Sequence, residues 1–247
     1  LAEKRRADQL LVEQGLAESR AKAQALILAG LVSYAGRRVD KPGEQLAVDA
    51  AVTLKGPDHP WVSRGGLKLA HALDHFGIST DGKVALDIGA STGGFTDVLL
   101  SQGAKRVHAV DVGHGQLAWK LRQDPRVVVH ERLNARHLTR EDIPEPVDII
   151  TCDASFIGLA TVLPAPLALA AANAELIALV KPQFEAGRER VGKGGVVRDA
   201  AVQREVCERA AAWVAAQPGW AVIGIVESPI LGPEGNREFL LYARLGI

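Results

Sequence analysis

The stretch Leu86-Asp87-Ile88-Gly89-Ala90-Ser91-Thr92-Gly93-Gly94-Phe95-Thr96 decides the fold. An apolar run, Val84 to Ile88, leads into a glycine-rich turn, and the turn opens a helical pattern near Phe95 to Gln102. Glycine lets a backbone approach a ligand closely. In parallel sheets a turn between a strand and a helix N-terminus is where nucleotide-type ligands sit. The spacing here is D-x-G-x-x-x-G-G, not the G-x-G-x-x-G of dinucleotide enzymes. Outward from this turn the pattern alternates. Leu67 to Phe76 predicts a helix before it. Arg106 to Val112, Val127 to His130, Val147 to Cys152 and Leu176 to Val180 predict strands after it. A long helix, roughly Ala200 to Gln217, and strands near Ala221 to Val226 and Phe239 to Arg244 follow. Strands alternating with helices argue for an α/β domain built on a mostly parallel, doubly wound sheet.

Ligands of such sheets sit outside the carboxyl ends of the strands. Asp111 ends the second strand, where an acid accepts hydrogen bonds from ribose hydroxyls. Asn134 follows the third strand, in place to hold an adenine, and Asp153 ends the fourth. With these residues beside it, the glycine turn resembles the first motif of S-adenosylmethionine methyltransferases. That ligand has a methionine ammonium and carboxylate, a sulfonium and a ribose, and no phosphate. The resemblance makes S-adenosylmethionine the expected cofactor. Its expected binding residues are Asp87, Gly89, Ser91, Thr92, Gly93, Gly94, Phe95, Thr96, Asp111, Asn134 and Asp153.

The first 56 residues have a different texture. Leu10, Leu11 and Val12 lie in a short helical stretch ending at Gly15, and Ser19 is a good N-cap for a second helix, Arg20 to Ala29. Leu31 to Tyr34, a turn at Ala35-Gly36, and Arg37 to Val39 predict a hairpin, with one more strand at Ala51 to Leu54. Lys55 to Pro60 reads as a linker, since a glycine and two prolines interrupt any pattern. The expected organisation is a small α+β domain over 1–56, a linker over 57–62 and the α/β domain over 63–247.

Whole-chain properties bound the function. Lys+Arg and Asp+Glu are both 29, so the formal net charge is zero and any nucleic-acid surface has to be local. The two cysteines, Cys152 and Cys207, form no metal-ligand pattern, and no metal is expected; they read as free thiols of a cytoplasmic protein. Leu159 to Val180 is apolar but broken by Pro164, Pro166, Asn173 and Glu175. It predicts a loop, a buried helix and a core strand, not a membrane span.

Methyl transfer from a sulfonium to a hydroxyl asks a protein for aim and for removal of a proton. A lysine serves as base only when its pKa falls well below about 10.4, which burial or a neighbouring cation can cause. Lys181 follows a strand, Lys68 precedes the first strand and Glu238 precedes the last. Each alone reads as an ordinary surface charge, and spacing does not choose them. A resemblance does. The second domain resembles the FtsJ-type ribose 2′-O-methyltransferases, whose Lys-Asp-Lys-Glu tetrad matches Lys68, Asp153, Lys181 and Glu238 in order and context. Val62-Ser63-Arg64-Gly65-Gly66, Asp153-Ala154-Ser155-Phe156, Lys181-Pro182-Gln183-Phe184-Glu185 and Gly192-Lys193-Gly194-Gly195-Val196-Val197 together resemble the TlyA family, whose members are also called haemolysins.

That resemblance implies a Rossmann-like, mostly parallel seven-stranded sheet and 2′-O-methylation of cytidines in ribosomal RNA. It implies ribosomal RNA or ribosomal subunits as partners and no stable association with membranes. Lys181 is then the base, lowered by Lys68. Asp153 orients Lys181 and lines the cofactor site, and Glu238 holds Lys68 or the target ribose. Residues 4–54 resemble the S-four type RNA-binding domain through Gly15, Ser19-Arg20, Ala23, the helix to Gly30 and the hairpin start at Leu31. One departure is Arg6-Ala7-Asp8, where Arg-Leu-Asp is more usual, which alters a packing contact but not the charge. The RNA-binding candidates are Arg5, Arg6, Arg20, Lys22 and Arg37 in this module, Arg64 beside the linker, and Arg188 and Lys193 in a glycine-rich basic loop. Trp61, beside the linker, packs the two domains together or stacks on a base. Two other readings compete, a membrane-active haemolysin and an RNA-binding assembly factor on an inactive methyltransferase fold. The broken 159–180 segment speaks against the first and the complete tetrad against the second.

Overall fold

A computed structural model describes residues 3–28, 30–49, 51–54 and 59–246. Residues 55–58, where the linker is expected to begin, and Ala29, the expected end of a helix, lie outside the described residues. The chain divides into two compact units, Leu1–Pro60 and Trp61–Ile247.

The first unit runs β1 (Lys4–Arg6), α1 (Ala7–Glu13), α2 (Arg20–Leu28), β2 (Val32–Tyr34), β3 (Arg37–Arg38), β4 (Gln45–Ala47) and β5 (Val52–Leu54). Strands β2, β3 and β5 form one antiparallel sheet, and β1 pairs with β4 in another. Leu10, Leu11, Ile27, Val32 and Leu46 are buried together where the helices meet the strands. The pair β1–β4 has no counterpart in the sequence reading. Each is three residues long, and their partnership joins Lys4 to Ala47 across the whole unit.

The second unit opens with α3 (Gly65–Phe76) and continues β6 (Val84–Ile88), α4 (Gly94–Ser101), β7 (Arg106–Asp111), α5 (Trp119–Arg122), β8 (Val127–Glu131) and β9 (Val147–Cys152). It ends α6 (Leu159–Val162), α7 (Pro164–Leu167), β10 (Ala170–Val180), α8 (Pro182–Glu185), α9 (Ala200–Ala215), β11 (Trp220–Glu227) and β12 (Phe239–Leu245). The seven strands lie in the order β11-β12-β10-β9-β6-β7-β8. The pairs from β10 to β8 are all parallel, and β12 alone runs against its neighbours. Every residue of β6 is buried, as a central strand covered on both faces requires. One face carries Leu86, Ile150 and Leu176 against α9; the other carries Ala85, Ile149 and Ile177 against α3 and α4.

The segment 159–180 departs from expectation. The buried helix shrinks to two single turns, α6 and α7, because Pro164 and Pro166 can only start a helical turn. The strand begins earlier, at Ala170, and shifts register between Ala170 and Glu175, where Asn173 takes φ 62°. Among the described residues no helix is long and apolar enough to cross a membrane. Trp61 packs against the core of its own unit, over Gly66, where even a Cβ would lie 2.4 Å from the indole.

The strand order reverses between β6 and β9, whose successors run to opposite sides of the sheet. This switch point leaves a crevice at the carboxyl edge.

Candidate functional site

At that crevice the turn after β6 and the chain leaving β9 pass at backbone distance. Gly89 has φ 76°, and a Cβ on it would lie 2.9 Å from the Asp153 carbonyl oxygen. Gly94 is equally constrained, since a Cβ there would meet Ser63 Oγ at 2.3 Å. The start of α3 therefore lies directly on the turn, and Lys68 comes with it.

Asp87 and Thr96 do not face the crevice. Both are fully buried. Thr96 Oγ1 donates to Asp87 Oδ2 at 2.7 Å, and Thr151 Oγ1 donates to Oδ1 at 3.0 Å. The second bond follows from register, because Asp87 and Thr151 are paired across β6 and β9. Burial pushes the Asp87 carboxyl up to about 6, against the pull of those two hydroxyls. Asp87 and Thr96 thus brace the turn from behind, and Gly93 packs against Leu117 and Leu121.

Two cavities adjoin at the crevice. One, of about 430 Å³, is lined by Asp111, Asn134, Ala135 and Ser155 among others, with Val110 and Ile157 as apolar walls. Asp111 is fixed at its rim by the amides of Ser91 (2.8 Å to Oδ2) and Gly113 (2.7 Å to Oδ1). Asn134 is held by the Arg136 amide, 3.1 Å from Oδ1. The other, of about 560 Å³, is lined by Ser63, Arg64, Lys68, Thr92, Phe95 and the loop from Ile230 to Glu234. Gly89, Ser91 and Asp153 line both.

Four charged side chains from distant parts of the sequence converge here as two ion pairs. Lys68 Nζ donates to Glu238 Oε2 at 2.6 Å, and Glu238 is fully buried. Gln183 Nε2 donates to the other oxygen, Oε1, at 3.2 Å. Lys181 Nζ lies 2.6 Å from Asp153 Oδ1. That contact is an ion pair whose angle lies off the line of a hydrogen bond. The hydrogen bonds of the amine run to Ser155 Oγ (2.9 Å) and to the Asp153 carbonyl (3.2 Å). Room for Glu238 depends on Gly232, where a Cβ would sit 2.2 Å from Oε1.

Sequence reasoning missed Ser155, Gln183 and the lining loop 230–234. Ser155 and Gln183 each stand two residues beyond a chosen charge, but no spacing rule distinguishes a hydroxyl or amide that turns inward. Cys152, next to Asp153, is buried and its thiol is pushed up to about 12 by that burial, which makes it inert.

The RNA-binding candidates fall into distinct settings. Arg6 and Arg20 both donate to the buried Asp8, at 3.0 and 3.1 Å, and keep 40% and 55% of their side chains exposed. The Arg6 guanidinium and its companions hold that carboxyl far below the usual range. Arg5 is bound to Glu3 and Glu13, and Arg37 to Glu44. Lys22, Arg64, Arg188 and Lys193 are exposed.

Residues 61–245 match the model of the FtsJ-like methyltransferase family, and residues 5–52 match that of the S4 domain. The chain is 50% identical over 246 residues to the 16S/23S rRNA (cytidine-2′-O)-methyltransferase TlyA of Mycobacterium tuberculosis, covering 99% of this chain and 91% of that protein. It is 40% identical to Hemolysin A of Brachyspira hyodysenteriae, covering 96% and 98%. A solved structure titled "Putative hemolysin from Streptococcus thermophilus" matches with a TM-score of 0.75 and 44% identity, covering all of this chain and 90% of that one.

Proposed function

The chain belongs to the FtsJ-like methyltransferases of the TlyA type, with an S4 domain ahead of the methyltransferase domain, and on that premise we propose that it methylates the ribose 2′-hydroxyl of cytidines in ribosomal RNA, using S-adenosylmethionine. The observation that supports this reading best is the meeting of two lysine–carboxylate pairs where the two cavities share Asp153.

The residues present fit the cofactor. Asp111, fixed by two amides, still has lone pairs for ribose hydroxyls. Asn134 and the apolar walls beside it suit an adenine. Asp153, which lines both cavities, puts a carboxylate where the two meet, beside the place a sulfonium would take. When bound, S-adenosylmethionine supplies an electrophilic methyl group on its sulfonium.

The chain supplies aim and proton removal. In its neutral form Lys181 Nζ takes the proton of the 2′-hydroxyl and becomes the ammonium that pairs with Asp153, and Asp153 together with Ser155 orients that amine. Glu238 has both oxygens engaged within the protein, so its role is to hold Lys68 and not the ribose. Lys68, facing the larger cavity, then positions the target nucleotide. Because Glu238 balances its charge, Lys68 acts on the ribose more through position than through its field at Lys181. The S4 module contributes RNA affinity through phosphate contacts, which position without reading sequence.

The test is to incubate purified protein with ribosomal RNA and S-adenosylmethionine and map 2′-O-methyls. We expect new methyls on cytidines, abolished by Lys181→Ala. Absence of ribose methylation with intact subunits of both sizes would sink the reading. Lysis of liposomes without cofactor would revive the haemolysin alternative.

A further inference from the structure

Resting on the reading that Lys181 is the base, each turnover leaves its amine with an extra proton that has to be shed before the next. The amine is nearly closed off, with 7% of the side chain exposed. Three oxygens surround Nζ: the Asp153 carbonyl, Asp153 Oδ1 and Ser155 Oγ. A backbone carbonyl only accepts and has no proton of its own to hand on, so it cannot relay one. Asp153 Oδ1, 2.6 Å away, is buried, so a proton taken there has no direct contact with solvent. A hydroxyl both accepts and donates, and Ser155 is exposed.

We propose that Ser155 is the proton exit of Lys181. An Nζ–H bond breaks as its proton moves to Oγ. The original Oγ–H bond breaks as that proton passes to a solvent water or a buffer base. Lysine returns to the neutral amine, Ser155 ends with a hydroxyl as it began, and nothing is oxidised or reduced. Ser155 is thus a positioning residue that acts through Lys181.

The surroundings hold this contact in place. Phe156, the next residue, takes φ 65°, a left-handed conformation unusual for an aromatic side chain. Its ring packs on Phe184 with centroids 4.9 Å apart, and Phe184 lies three residues after Lys181. Further along, the Leu159 amide donates to Glu185 Oε1 at 2.7 Å. Two braces therefore tie the segment carrying Ser155 to the segment carrying Lys181, flanking the hydroxyl–amine contact.

The isosteric pair Ser155→Thr and Ser155→Val tests this, since threonine keeps the hydroxyl and valine replaces it with a methyl group that also excludes water. Steady-state methylation of ribosomal RNA is measured for both, with Lys181→Ala alongside. We expect the threonine variant to stay close to wild type. We expect the valine variant to lose roughly 10-fold or more in kcat with little change in KM for cofactor or RNA. Imidazole added at constant pH and ionic strength should restore the valine variant and leave wild type unmoved. A valine variant as fast as wild type overturns the exit, and so does a slow one that imidazole does not restore. If Lys181→Ala is fully active, the base assignment falls and takes the exit with it. If Lys181→Ala is dead and the valine variant normal, only the exit falls.

Discussion

Glu238 is fully buried, and among the described residues the side chains that answer its carboxylate are Lys68 and Gln183. Removing one partner of such a pair leaves an uncompensated buried ion, which costs about 3–5 kcal/mol. Lys68→Met should therefore destabilise by that order in urea unfolding. The double variant Lys68→Met with Glu238→Leu should recover most of the stability while remaining inactive. Full stability in the single variant would mean that the pair is solvated in solution. Asp87 gives a pH signature. Burial holds its carboxyl at about 6 in the folded protein against an ordinary 3.8. The unfolded chain loses its proton first, so between about pH 4 and 6 the folded state binds more protons and stability falls as pH rises, by roughly 3 kcal/mol. Asp87→Asn cannot ionise. Its unfolding free energy relative to wild type should improve from pH 4 to pH 7, and a constant difference across that range would contradict the assignment.

At the scale of elements, the turn after β6 works because it has no side chain at Gly89 to separate it from Asp153. Gly89→Ala places a methyl group against backbone at a φ that favours glycine, which costs on the order of 1–3 kcal/mol. Calorimetric titration should show cofactor affinity reduced by 10-fold or more, about 1.4 kcal/mol. Unchanged affinity would mean that the turn relaxes freely. The element pattern explains what could be read beforehand. The strands β6, β7 and β9 are short, largely apolar runs, and such runs announce buried parallel strands. By contrast β1 and β4 are three residues each and exist through a pairing that spans Lys4 to Ala47, which no local window contains. The early start of β10 at Ala170 was hidden for a related reason: Ala-rich sequence favours a helix, and pairing of Ala170 with Val147 of β9 overrode that preference. At the site, the charged tetrad was found through family likeness, since no spacing rule selects Lys68 or Glu238. Asp87 and Thr96 lay in the right motif but on the wrong side of the backbone, a distinction that only register resolves.

For the molecule as a whole, zero net charge and RNA affinity are reconciled by how the cations are spent. Arg5 and Arg37 are matched by carboxylates, whereas Arg6 and Arg20 share a single Asp8 and keep a surplus. We expect Arg20→Ala to weaken binding to ribosomal RNA and to lower the slope of log K against log salt by about 0.7–0.9, as filter binding at several salt concentrations would show. An unchanged slope would place the phosphate contacts elsewhere. The order of strands in the main sheet has an outcome in time. Strand β12 follows β11 in the chain yet lies between β11 and β10. During synthesis β11 can find no neighbour until residues 239–245 have cleared the exit tunnel, and Glu238 arrives with them. A chain made only as far as β11 therefore lacks both that strand's neighbour and the carboxylate that holds Lys68, and the two arrive in a single step when β12 slots between β11 and β10.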